Sequence, residues 1–227
     1  MNFEQNLFIS YAHIDDQPLT PGEKGWITRF HATLKKILDM RMGSEAKIWR
    51  DEKLQGNDVF SNEIVAQFNQ SAALVSIVTP RYLHSEWCTR EAREFCQSAE
   101  RSGGLVVGNK SRVFKVIKTP VDAEESDALP AHMKDLLGFE FFTYEDGVPL
   151  ELDPSYGPEY SQRYLKKPHC WRKILRAYSR HCRLKGVPAR AMTGMFRVIH
   201  RRRASRPCIW PNAATTESKS ESSSKGS

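Results

Sequence analysis

The chain of 227 residues holds no apolar run close to the roughly 18 residues that a membrane-spanning helix needs, so no membrane anchor is expected. Its first residues, MNFEQNLFIS, lack a basic n-region and a small-residue cleavage site. A secretory leader is therefore not expected, and the compartment expected is the cytoplasm. The five cysteines, Cys88, Cys96, Cys170, Cys182 and Cys208, form no CxxC pair and are odd in number. Reduced thiols fit better than a disulfide framework or a zinc site. Neither GxGxxG nor GxxxxGKS/T occurs, which removes the standard glycine-rich phosphate cradle. Acidic residues are scarce in one region only. Residues 168–227 hold 14 Lys+Arg and 2 Asp+Glu, a net of +12, whereas residues 1–167 hold 20 and 25, a net of −5. The formal charge of +7 thus belongs to the last quarter, and the shift marks a boundary near Lys167.

What is present is a regular alternation. NLFISYA (6–12), AKIWR (46–50), AALVSIVTP (72–80), RVFKVIK (112–118) and FEFFTY (139–144) read as strands. The third is the most apolar and should lie at the centre, buried on both faces, with the fourth nearer an edge. WITRFHATLKKILDMRM (26–42) carries one apolar stripe at helical spacing and ends at Gly43. Further helices are expected over VFSNEIVAQFNQS, from the Ser85 N-cap to about Glu100, over ALPAHMKDLLG (128–138), and from Pro158. Strands alternating with helices predict a flavodoxin-like α/β fold, a five-stranded parallel sheet with helices on both faces. In such a sheet the functional crevice lies at the carboxyl ends of the strands, where residues 12–25, 50–58 and 80–90 gather.

In the third of these segments Trp87 and Glu91 stand four apart and share a helix face. Glu86 and Glu94 read as helix-surface charge. Trp87 either packs or stacks on a flat ring. Tyr11 ends a strand and either caps the core or lines a nucleotide pocket. Arg50 and Asp51 either clip to each other or contact a nucleotide or a neighbouring subunit. His13, Asp15 and Asp16 lack a partner of matching spacing, so no metal is expected.

Three stretches in order, LFISYAHIDD (7–16), IWRDEKLQGNDVF (48–60) and SEWCTRE (85–91), resemble the Toll/interleukin receptor (TIR) domain family, in its bacterial NAD-cleaving type. The first resembles its strand ending in Ser-Tyr before acidic residues. The second resembles the strand and BB loop, and the third the tryptophan that precedes a catalytic glutamate by four residues. The resemblance covers residues 6 to about 167 and implies a domain over 1–167 that hydrolyses NAD at the nicotinamide–ribose bond. By position it makes Glu91 the catalytic residue and gives the BB loop, with Arg50, Asp51, Leu54 and Gly56, to assembly and substrate contact. Tyr11 and Trp87 complete the expected substrate-binding set. NAD is then the substrate and no cofactor is expected. Other TIR domains are the expected partners, and bacterial defence is the setting the resemblance suggests. The alternative is a non-catalytic TIR module acting by homotypic assembly.

The chemistry stands beside the resemblance. Nicotinamide leaves NAD as a neutral ring, so no general acid is required, and one carboxylate can steady the oxocarbenium-like ribose. Residues 168–227 fit none of this. They read as a nucleic-acid or anionic-membrane arm, as a tail without selected function, or as a shifted reading frame. Codons open to Arg206–Ala213 allow a strand-like run in a neighbouring frame, and that reading is favoured over nucleic-acid binding. The segment is expected to be of low order, apart from a short helix near Trp171 to Tyr178, because Gly186, Pro188, Gly194, Pro207 and Pro211 interrupt it and little burial offsets its entropy.

Overall fold

QNLFIS sends Leu7 and Ile9 to one side and Phe8 and Ser10 to the other, the period of two that makes a half-sheet out of six residues. The computed structural model describes residues 2–42, 45–50, 62–107, 109–170 and 183–184. After β1 (Asn2–Phe3) come β2 (Gln5–Ser10), a 3-10 turn at His13–Asp16, α1 (Trp26–Met42), β3 (Ile48–Arg50), α2 (Asn62–Gln70) and β4 (Ser71–Val78). The short α3 (Pro80–Leu83), α4 (Glu86–Arg101), the small pair β5 (Val106–Val107) and β6 (Lys110–Ser111), and β7 (Val113–Ile117) follow. The remainder is α5 (Ala131–Lys134), β8 (Phe139–Glu140), β9 (Phe142–Glu145), β10 (Val148–Glu151), α6 (Pro158–Cys170) and β11 (Arg183–Leu184).

The main sheet has five strands in the order β3-β2-β4-β7-β8, all parallel. All eight residues of β4 are buried, as its mostly apolar run requires of a central strand covered on both faces. Leu7, Ile9, Ala73, Val75, Ile77, Phe114 and Val116 meet Trp26, Phe30, Leu34 and Leu38 of α1 and Tyr164 of α6 on one face. Phe8, Leu74, Val78 and Val113 meet Phe68 of α2, Tyr82 and Leu83 of α3, and Cys88, Ala92 and Phe95 of α4 on the other. β7 lies one strand in from the edge, since the two-residue β8 flanks it.

Two expectations change. FEFFTY is not one strand. Phe139–Glu140 join β7, whereas Phe142–Glu145 turn away and pair antiparallel with Val148–Glu151. The cause is Asp146-Gly147, with φ of 51° and 79°, the two-residue loop that matches the twist of a hairpin. The helix expected over 128–138 shrinks to Ala131–Lys134. Leu129 precedes Pro130 and is extended, since the proline ring disfavours the helical conformation there. α6 runs on through Lys167 to Cys170, so the change in charge falls inside a helix. Of the later residues, Arg183–Leu184 pair in parallel with Asn2–Phe3, and the other expectations for the tail lie outside the described residues.

The turn after β2 is tied down at three points. Asp15 Oδ2 accepts the Thr79 hydroxyl at 2.8 Å, and Thr79 Oγ1 in turn accepts the Tyr82 N–H that opens α3. Asp16 accepts the Thr28 N–H at 2.7 Å and the Thr28 hydroxyl at 2.6 Å in the first turn of α1. A carboxylate suits that end of a helix because the free N–H groups and the dipole are both positive there. Arg50 Nη1 closes the group, donating to Asp16 Oδ2 at 3.3 Å and Thr28 Oγ1 at 3.2 Å. Gly25 is required by this docking, because a Cβ there would lie 1.6 Å from the Asp16 carbonyl oxygen.

Gly25→Ala therefore displaces the 13–16 turn or α1, and we expect a loss of about 1–3 kcal/mol in urea unfolding, the scale of overpacking. An unchanged midpoint would mean that the turn yields without cost. Burial holds the Asp15 carboxyl above the usual carboxylate range, against the opposing pull of Thr79 and Lys118. A group whose folded pKa is raised loses its proton first in the unfolded chain, so its contribution to stability falls as pH rises through that window. Asp15→Asn, which keeps an acceptor for Thr79, should gain stability over wild type at neutral pH and lose that advantage below the ordinary aspartate value. Urea midpoints of both proteins at the two pH values check this; a difference independent of pH would refute it.

Candidate active site

α4 begins at Ser85, whose hydroxyl accepts the Cys88 N–H at 3.3 Å, with Glu86 in the first turn where the dipole favours it. Its period places Cys88, Glu91, Ala92, Phe95, Cys96 and Ala99 on the buried side. Among these apolar or small neighbours stands one carboxylate, Glu91, only 3% exposed. A buried charge is tolerated when donors surround it. Glu91 Oε2 accepts the Ser10 hydroxyl at 2.5 Å, and Glu91 Oε1 accepts the Trp87 indole N–H at 3.2 Å. The spacing of four between Trp87 and Glu91 thus makes a bond along the helix face.

Ser10 comes from the carboxyl end of β2, where it is the register partner of Ser76 on β4. Both serines face α4, because they share the side of Phe8 and Leu74. Between them sits the Tyr82 hydroxyl, 3.1 Å from Ser10 Oγ and 2.7 Å from Ser76 Oγ, and it also donates to the Cys88 carbonyl at 3.2 Å. Burial, with the neighbouring Cys88 adding to it, pushes the Tyr82 phenol well up. Burial and then Glu91 push the Cys88 thiol up to about 12, so it stays protonated and is no nucleophile.

The expected site residues fall into two groups. Trp87 and Glu91 are brought together on the α4 side of the sheet. Tyr11 and Arg50 lie together on the other side of β2. The Tyr11 ring is buried in the α1 cluster and stacks on His13 at 5.3 Å, with the Arg50 guanidinium 6.0 Å from its centroid. The Arg50 side chain is engaged by Asp16 and Thr28. Asp51, Leu54 and Gly56 lie outside the described residues, as does the rest of the expected BB loop over 51–58. Glu86 is exposed, in keeping with a solvated charge, and Trp49 stacks on Phe8 at 4.8 Å. Asp15 and Asp16 spend their carboxylates on Thr79 and Thr28. Among the described residues no group of three His, Cys, Asp or Glu is set to hold a metal, and no helix is long and apolar enough to cross a membrane.

Ser10, Ser76 and Tyr82 were not among the expected residues. The signal was available: ISYA and VSIV each place a serine where alternation demands an apolar side chain, at the same distance along neighbouring strands. A second polar group, at the ends of β4 and β7, also lacked a motif. There Lys118 binds Glu151 at 2.7 Å and lies 5.8 Å over the Trp26 ring, near the Asp15–Thr79 pair.

The comparisons agree with this arrangement over its central part. Residues 27–108 match the family model described as TIR domain. No curated protein matches the chain. Among solved structures it is similar to the TIR domains in the structure of the activated Roq1 resistosome directly recognizing the pathogen effector XopQ. The identity is 15%, the coverage 75% of this chain and 84% of that one, and the TM-score 0.37, too low to carry an argument. The matched segment runs from α1 to β5 and includes both Trp87 and Glu91, and it lies within the α/β fold built on the five-stranded parallel sheet.

Proposed function

We propose that this chain cleaves NAD at the nicotinamide–ribose bond, releasing nicotinamide and ADP-ribose or a cyclic variant of it. The observation that carries the proposal is the Glu91 carboxylate, buried on the face of α4 at the carboxyl end of the sheet, with one oxygen aligned by Ser10 and the other by Trp87. The C1′–N bond breaks and its electron pair goes to the nicotinamide ring, which leaves neutral. Glu91 steadies the positive charge that develops on the ribose. Water then adds at C1′ and gives up a proton, or the adenine ring adds instead and closes the cyclic product. At 3% exposure the carboxylate meets a sugar only when one of its donors yields, so a ribose hydroxyl takes over the place of the Trp87 N–H on Oε1. The freed indole is then available to stack on a flat ring.

In this reading residues 1–167 are the catalytic domain, NAD is its substrate, no cofactor takes part, and residues 168–227 are a basic appendage. Copies of the domain assemble through the segment 50–58, and the setting is bacterial immune signalling in the cytoplasm. The rival reading is a module that only assembles with other TIR domains. It draws on the same observation, because a carboxylate that already has two donors also suits a purely structural role.

Glu91→Gln separates the two better than Glu91→Ala. Glutamine keeps an oxygen for Ser10 and differs mainly in charge, whereas alanine strands two buried donors at about 1–3 kcal/mol each. Purified wild type should release nicotinamide from NAD, with activity per mole rising with protein concentration. Glu91→Gln should lose roughly a hundredfold or more of that rate while unfolding at a urea concentration closer to wild type than Glu91→Ala does, since only the Trp87 N–H loses its acceptor. Equal, absent release from both proteins, even under crowding, would favour the assembly module.

A further inference from the structure

Glu91 is reached by a chain of hydroxyls that no sequence motif announces. The Ser10 hydroxyl has one proton and gives it to Glu91 Oε2 at 2.5 Å. Across the 3.1 Å contact between Ser10 and Tyr82, Tyr82 must therefore be the donor. Its proton is shared between Ser10 Oγ and the Cys88 carbonyl at 3.2 Å. Ser76, 2.7 Å away, then donates to the Tyr82 oxygen. The series from Ser76 through Tyr82 and Ser10 points toward the carboxylate, with part of the Tyr82 proton drawn off to the Cys88 carbonyl. Such chains polarise each member and strengthen the last bond, and a charge-assisted O–H···O⁻ bond is short, as this one is. Ser10, Ser76 and Tyr82 are all 1% exposed or less, so water does not compete for these groups.

We propose that Ser10, with Tyr82 and Ser76 behind it, is a positioning residue that keeps Glu91 ionised and pins its Oε2, leaving Oε1 as the oxygen that meets the sugar. This rests on Glu91 being the reacting carboxylate. Ser10 itself touches no substrate; it acts through Glu91. Loss of its hydroxyl removes the donor that favours the anion, so the carboxylate accepts a proton at higher pH. The titratable groups set against Glu91 include Tyr82 from α3 and Cys88 from its own helix, with Asp15 acting on Cys88 from the turn after β2. Burial holds Tyr82 and Cys88 neutral and holds the Asp15 carboxyl above the usual carboxylate range.

The test follows the Trp87 indole N–H, which is bonded to Glu91 Oε1 and so reports on the carboxylate without any need for turnover. Its NMR resonance, assigned with Trp87→Phe, is titrated from acid to neutral pH in the full chain, with Asp15→Asn as the control for the other carboxylate. In Ser10→Ala the midpoint should move to higher pH, in Tyr82→Phe it should move less, and Ser10→Thr should restore it. In parallel, kcat for nicotinamide release should fall roughly ten- to a hundredfold in Ser10→Ala with KM unchanged, and recover in Ser10→Thr. A Ser10→Ala midpoint equal to wild type, or a kcat equal to that of a wild type that does release nicotinamide, overturns the proposal. A midpoint that moves in Ser10→Ala while wild type releases no nicotinamide removes the NAD reading and leaves Ser10 in control of the carboxylate.

Discussion

The parallel pairing of β2 with β4 sets everything at the carboxyl end of this sheet. Leu7 stands beside Ala73, Ile9 beside Val75, and so Ser10 beside Ser76. A slip of β2 by one residue would turn Leu7 and Ile9 toward α4 and carry Ser10 to the α1 face, away from Ser76. The register holds because each face has its own packed cluster, with Phe8, Leu74 and Val78 against α3 and α4, and Leu7, Ile9, Val75 and Ile77 against α1. The apolar faces thus determine where two polar side chains end. Tyr82 fits between those serines because Thr79 caps the short helix that carries it, and Thr79 is itself held by Asp15. Glu91 comes last in this order. Its burial there is possible because the sheet has already placed a hydroxyl donor where its Oε2 lies.

Much of this fold is legible in the amino-acid order, and the parts that are not share a cause. The helix over 26–42 was read to the residue, since its stripe of Trp26, Phe30, Leu34 and Leu38 is long and regular. The central place of β4 followed from its run of apolar residues, the densest in the chain. The hairpin over 142–151 was local and still missed. The run FEFFTY looks uniform, and only the Asp146-Gly147 pair shows that the chain must reverse after Glu145. The site divides in the same way. Trp87 and Glu91 lie on one helix, so their spacing alone puts them in contact. Ser10 and Glu91 lie 81 residues apart, and their bond depends on strand order, register and the angle of α4 over the sheet. Tyr11 shows the reverse difficulty. It follows Ser10 directly, but alternation sends it to the α1 cluster beside Arg50, away from the face that holds Glu91.

The opposite end of the sheet shows why buried charge gathers around α4. Arg112 is fully buried just before β7 and donates from Nε to the Ala72 carbonyl at 2.8 Å and from Nη2 to the Ser71 carbonyl at 3.1 Å. Its Nη1 reaches the Ala99 carbonyl, the Ser102 hydroxyl and the Gly104 carbonyl, at and beyond the end of α4. Carbonyls at a helix C-terminus carry the negative end of the dipole, so a guanidinium suits the Ala99 carbonyl, which also accepts the Ser102 and Gly104 N–H groups of the turn that ends α4. The rings of Phe3 and Phe95 cover its planar faces at 4.8 Å and 5.6 Å. Arg112 thereby joins β1, the start of β4 and the end of α4. With that end fixed and Ser85 capping the other, α4 cannot slide along the sheet. The short bond between Ser10 and Glu91 requires that rigidity, since a shift of half an ångström would lengthen it past the range of a strong charge-assisted bond. A buried cation at one end of the helix therefore supports the placement of a buried anion near the other. The same helix that seals the amino end of the sheet holds the carboxylate at its carboxyl end.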